Sequence, residues 1–170
     1  MELAADRDYR LDRLTLMPVY HVPADASARR ALDEAFSDLA GGAAPARAVL
    51  DVSGRRIEVP MAAGGVARFG FADLCAKPLG AADYIEIARQ HHTVIIDGIP
   101  AMDPEKRDQA ARFVTLVDEL YEHRVKLVCS AAAWPDDLYP AGDGSFEFAR
   151  TASRLAEMQS KEYLALPHLT

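Results

Sequence analysis

Two arginines, Arg150 and Arg154, have the type and spacing that most directly offer chemistry. The apolar periodicity predicts a helix from about Phe146 or Ala149 to Gln159, and residues four apart on a helix share a face. A guanidinium stays charged and can fork onto two phosphate oxygens, as arginine fingers do. The alternative is a surface ion pair with one of the carboxylates nearby in the sequence: Glu147, Glu157 or Asp143.

A second pair, Asp97 and Ser130, closes two apolar runs, Ile95-Ile96 and Val128-Cys129. An apolar strand that ends in a carboxylate resembles the magnesium-side strand of P-loop ATPases, and a small polar residue on the adjacent strand could sense a phosphate. Gly98 stands where such an ATPase carries the glutamate that activates water. The favoured alternative is a strand end hydrogen-bonded to its own loop, because many α/β strands end in polar residues.

Several classes of function are excluded by what the sequence lacks. It contains no GxxxxGK[ST], GxGxxG, HExxH, GxSxG or paired-cysteine zinc motif, so we expect no catalytic residue, no metal site and no hydrolytic activity in this chain alone. A net charge of −7 over 170 residues argues against nucleic-acid binding. Cys75 and Cys129 lack CxxC spacing, which indicates reduced, buried thiols, and no apolar run is long enough to span a bilayer. We therefore expect a cytoplasmic protein.

The second half of the chain predicts a parallel sheet. Two strands, Thr93 to Asp97 and Val125 to Cys129, flank a long helix from Pro104 to His123, which makes a βαβ unit. The strand residues lack alternation, which indicates burial on both faces and hence a three-layer α/β fold. The last helix would carry Arg150 and Arg154, and the two strands would carry Asp97 and Ser130.

The first half is more mixed. We predict a short strand and a connector over 1–23, a helix capped by Asp25 or Ser27 and a β-hairpin appendage over 24–60, an α/β domain over 61–164, and a tail over 165–170.

Two longer segments resemble a known family. The runs ARFVTLVDELY (111–121) and FEFARTASRLAEMQSKEYL (146–164) are similar to the C-terminal part of AAA-like ATPases of the ZapE type, and the likeness is dense from Phe71 to Leu164. The resemblance implies a P-loop-NTPase-like core that lacks the P-loop. In such a protein a preceding N-terminal half would supply the Walker A lysine and the Walker B Asp-Glu pair.

Membership in that family implies ATP and Mg²⁺ for the parent protein and no cofactor for this fragment alone. Arg150 and Arg154 would then reach a nucleotide or clamp the tail. The implied partners are the N-terminal P-loop half of the same protein, further copies of the chain, and FtsZ or another client. A peripheral association with the membrane is a further alternative, and nucleic acid is not implied.

Together these observations predict the C-terminal domain of an ATPase linked to cell division. The domain would not hydrolyse ATP itself, and would couple the nucleotide state to partner binding or oligomer contacts. Two alternatives remain open: a structural protein-interaction domain that binds no nucleotide, and an independent small-molecule enzyme.

Overall fold

The computed structural model describes residues 2–170, with side chains described from Tyr9 onward. Within that range the strands are β1 (Tyr20–His21), β2 (Ala46–Val52), β3 (Arg55–Ala63), β4 (Val66–Gly70), β5 (Thr93–Ile99) and β6 (Lys126–Ala131). The helices are α1 (Glu2–Leu16), α2 (Ala26–Leu39), α3 (Phe71–Cys75), α4 (Ala81–Gln90), α5 (Arg107–Glu122), α6 (Ser145–Glu157) and α7 (Lys161–Leu164). Short 3-10 turns precede α5 and α6 at Pro104–Lys106 and Pro135–Asp137.

All the described strands form one sheet in the order β1-β6-β5-β4-β3-β2. The pairs β1–β6, β6–β5 and β5–β4 are parallel, and the pairs at β3 are antiparallel. Successive strand residues face opposite sides: Val94 and Ile96 belong to the same core cluster as Phe113 of α5, whereas Ile95 belongs to a second cluster with Leu32 of α2. The predicted α/β fold with three layers and its βαβ unit are confirmed, because both faces of the central strands are covered by helices.

The first segment differs from the sequence prediction of a strand and connector. Residues 2–16 form helix α1, and the strand is only the two-residue β1 that follows it. Leu11 and Leu14 lie three positions apart and pack on the α2 side of the sheet, so the charged residues between them suit a helix with one apolar face. The domain boundaries proposed from the sequence remain a prediction.

The predicted hairpin is the antiparallel edge of this sheet. Ser53 and Gly54 both have positive φ, as a two-residue hairpin turn requires, and β3 continues to Ala63 and pairs with β4. Ile57 and Val59 contribute to the main core. Burial of these side chains therefore makes the hairpin part of the fold.

Candidate functional site

Asp97 and Ser130 lie at the same edge of the sheet, as their strand positions predict. They line a cavity of about 360 Å³ together with Gly70 at the end of β4 and with Asp25 and Arg29 at the start of α2. In open α/β sheets, ligands bind in the crevice outside the carboxyl ends of the strands. This cavity is therefore the candidate nucleotide-binding site.

Ser130 is tied to the neighbouring strand. Its hydroxyl accepts a hydrogen bond of 2.8 Å from the backbone N–H of Gly98, and the residue is 3% exposed. Gly98 has φ +72° and lies where the register between β5 and β6 shifts, so it belongs to a bulge inside β5 and does not end the strand. The Ser130 hydroxyl thus holds the bulge that follows Asp97.

Asp97 is bound by Arg68 of β4. The guanidinium donates from Nε to Oδ2 at 2.8 Å and from Nη2 to Oδ1 at 3.1 Å, and its third nitrogen is paired with Asp33 of α2. Burial acts to lower the pKa of Arg68, but the hydrogen bonds to both carboxylates outweigh it and raise that pKa. Arg68 is 7% exposed, so the hydrogen-bond partner of Asp97 is a buried cation.

The start of α2 is occupied as well. Asp25 Oδ1 accepts the N–H of Ala28 at 2.9 Å and caps the helix, so of the two predicted caps, Asp25 and Ser27, the structure uses Asp25. A helix N-terminus attracts phosphate through its free N–H groups and its positive dipole end. Here the Asp25 carboxylate takes that place.

Arg150 and Arg154 share one face of α6 as predicted, but neither lines this cavity. Arg154 Nη1 donates to Asp118 Oδ1 of α5 at 2.5 Å, and its guanidinium lies 4.6 Å from the ring centre of Tyr121. Arg150 Nη2 reaches Asp118 Oδ2 at 3.3 Å. The local carboxylates considered as ion-pair partners are not the ones used, because packing of α6 on α5 brings Asp118 closer.

Other features of the described residues bear on the class of protein. Cys75 and Cys129 are free and buried, and burial raises the pKa of both thiols, to about 12 for Cys75. No cluster of three metal-ligating side chains occurs in the described part of the chain. None of its helices combines the length and the apolar character that a membrane crossing needs.

Comparison with known proteins decides the family. A family model described as AFG1-like ATPase matches residues 1–167. The chain belongs to the AFG1-like ATPase family. Cell division protein ZapE of Escherichia coli K12 is 38% identical over 99% of this chain and 45% of its own length.

Lactation elevated protein 1 homolog B of Danio rerio is 33% identical over 85% of this chain and 36% of its own length. An uncharacterized protein of Schizosaccharomyces pombe is 30% identical over 97% of this chain and 43% of its own length. The chain therefore spans less than half the length of these curated relatives. No solved structure matches the chain.

An AFG1-like ATPase implies ATP and Mg²⁺ for the whole protein, but the residues of this cavity do not fit a magnesium nucleotide. The carboxylate that would face Mg²⁺ is Asp97, and Arg68 donates a hydrogen bond to each of its oxygens. The helix end that would face the phosphates carries the Asp25 carboxylate. Like charge at the phosphate position and a cation at the metal position both oppose binding.

Proposed function

We propose that this chain is the non-hydrolytic C-terminal α/β domain of an AFG1-like ATPase. The observation that carries the proposal is the Arg68–Asp97 pair, which stands where a nucleotide site of this topology would hold its magnesium-binding carboxylate. The rest of a protein as long as its relatives would supply the P-loop. The ZapE relative is named a cell division protein, and we propose the same setting, in the cytoplasm, for this chain.

The domain would couple nucleotide state in that other part to contacts with further copies of the chain or with a client such as FtsZ. Of the two arginines on α6, Arg150 suits this role better because its side chain is 60% exposed and its contact with Asp118 is long at 3.3 Å. A phosphate could replace that contact at little cost. Arg154, at 22% exposure, would instead hold α6 on α5.

The test uses the full-length protein that contains this chain. Arg150→Ala should lower the steady-state rate of ATP hydrolysis by at least about tenfold, and by about 10³-fold if Arg150 acts as a full arginine finger. Arg89→Ala on α4 is the matched control, since Arg89 is 55% exposed and also pairs with a neighbouring carboxylate, Glu86. Equal turnover and equal oligomer size in wild type and Arg150→Ala would refute the coupling role.

An interaction domain without a nucleotide role is the second candidate, and exposed apolar side chains favour it. Trp134 is 55% exposed and stacks on Tyr20 with 5.6 Å between the ring centres, and Leu16 is 80% exposed. Exposed aromatic residues of this kind often anchor protein interfaces. If this candidate is correct, Trp134→Ser in the full-length protein would weaken partner binding while ATP turnover stays unchanged.

A further inference from the structure

A second cavity, of about 320 Å³, lies at the opposite edge of the sheet from Asp97. Its floor is formed by Thr93 and Lys126, the first residues of β5 and β6. One wall is α1, through Arg10 and Leu14, and the other is Leu164 at the end of α7 with the segment 165–168 that follows it. The cavity is thus framed by three parts of the chain that are distant in sequence.

The ionisable side chains that line this cavity are all basic. They are Arg10, His92, Lys126 and His168, and among the described side chains of the lining there is no carboxylate. Concentrated positive charge within low-dielectric walls attracts anions. The cavity's volume and its basic lining together point to a small anionic ligand.

Lys126 is the strongest element of this cluster because it is a buried cation without a carboxylate partner among the described residues. It is 6% exposed, and its Nζ donates to the backbone carbonyls of Arg124 at 2.7 Å and Leu166 at 2.8 Å. Burial and then the charge of Arg124 lower its pKa to about 8. Nζ also lies 4.7 Å from the ring centre of Tyr163, so its contacts are two carbonyls and one aromatic face. A buried ammonium is normally paired with an anion, and none of these contacts supplies one.

The histidines complete the arrangement. His92 is held by Thr93 Oγ1 at 2.8 Å and by the Gly64 carbonyl at 3.0 Å, so its ring is fixed against the cavity wall. His168 Nε2 donates to the Ala88 carbonyl at 2.6 Å. The other ring nitrogen of His168 has no hydrogen-bond partner among the described residues and is available to a ligand.

We propose that this cavity binds a phosphate-class oxyanion, held by Lys126 and His168. The oxyanion is either inorganic phosphate or a phosphoryl group of a nucleotide, since both present the same oxygens. Lys126 supplies a point charge. Because Nε2 of His168 donates to the Ala88 carbonyl, its Nδ1 donates to an anion oxygen in the imidazolium form and accepts from a phosphate hydroxyl in the neutral form. A bound anion would link the start of β6 to the segment after α7 and offset the cost of burying Lys126. This proposal does not depend on the role suggested for Arg150.

The test is a titration of this chain with inorganic phosphate, ADP and adenosine, followed by the amide NMR signals of each residue. Phosphate should bind saturably and shift the signals of Thr93, Lys126 and 165–168. If ADP shifts the same signals at a much lower concentration than phosphate, the ligand is a nucleotide phosphoryl group. If phosphate binds as tightly as ADP or more tightly, the ligand is the free phosphate ion. Adenosine should shift none of these signals.

Substitutions make the test specific. His168→Gln should weaken phosphate binding by about tenfold, and Lys126→Met by more than that if the variant folds. Lys77→Met is the control, because Lys77 is an exposed lysine outside the cavity and should leave binding unchanged. The absence of saturable shifts at Thr93 and Lys126, or equal affinity in wild type and His168→Gln, would overturn the proposal. Shifts confined to Gly98 and Ser130 would contradict the proposed function and overturn this proposal too.

Discussion

Arg68 of β4 and Asp97 of β5 are joined by two hydrogen bonds across these adjacent parallel strands. In the register of the sheet Asp97 pairs with Gly70, which lies two positions after Arg68. The guanidinium fork spans this offset and still reaches Asp33 of α2 on the other side. One buried cation thereby fixes the ends of β4 and β5 to the helix that follows β1. At this edge of the sheet the Asp97 carboxylate therefore has a structural partner.

Replacing Arg68 should therefore destabilise the chain more than replacing an exposed arginine. Arg68→Met leaves Asp97 partly buried without a partner, and we expect a loss of about 3 kcal/mol in the free energy of unfolding. Arg56→Met on β3 is the control and should change it by less than about 0.5 kcal/mol, because Arg56 is exposed. Urea denaturation at pH 7 measures both. Equal losses in the two variants would contradict the structural role of Arg68.

The sequence predicts the central sheet well because its signals are local. The apolar runs before Asp97 and Ser130 and the long helix between them are enough to predict a βαβ unit. The partners of the charged residues are a different matter. Arg68 meets carboxylates 29 and 35 positions away, and Arg154 meets Asp118, 36 positions away, through packing that no spacing rule predicts. The basic cavity lining around Lys126 is not predictable from the sequence for the same reason.

The two arginines of α6 should differ in their effect on stability. Arg154→Ala removes a short ion pair and a contact with the Tyr121 ring, both partly buried, and should cost about 1–2 kcal/mol. Arg150→Ala removes an exposed contact and should cost less than about 0.5 kcal/mol. Thermal and urea unfolding of the two variants check this. A larger loss for Arg150→Ala would show that the contacts of Arg154 do not hold α6.

Gly65 and Gly54 offer a matched pair of glycines. Their φ angles are +81° and +82°, so alanine is strained to a similar extent at both, by about 1 kcal/mol. A Cβ at Gly65 would lie 2.5 Å from His92 Cδ2, whereas a Cβ at Gly54 would meet nothing within 4 Å. Because hydrogen bonds hold the His92 ring in place, Gly65→Ala should cost at least about 2 kcal/mol in total. Similar unfolding free energies for Gly65→Ala and Gly54→Ala would contradict this packing.

Acid should weaken the fold through His92. Burial, and then the charge of Arg10, lower its pKa from 6.5 to about 4, so the folded chain keeps this ring neutral while the unfolded chain takes up a proton. The contribution of His92 is complete above pH 6.5 and is lost as the pH falls from about 6.5 to about 4. His92→Gln should therefore show a shallower decline in unfolding free energy over this range than wild type. If the unfolding free energies of wild type and His92→Gln, measured in urea, declined equally with falling pH, His92 would not be the source of the acid sensitivity.

The most direct test of the account is an NMR titration of this chain with ATP and Mg²⁺, read at the cavity that holds Asp97. Because Arg68 is hydrogen-bonded to both oxygens of that carboxylate and Asp25 caps α2, the signals of Gly70, Asp97, Gly98 and Ser130 should stay unchanged at millimolar nucleotide. Shifts at these residues that require Mg²⁺ would show that the cavity binds a magnesium nucleotide, and would contradict the central claim.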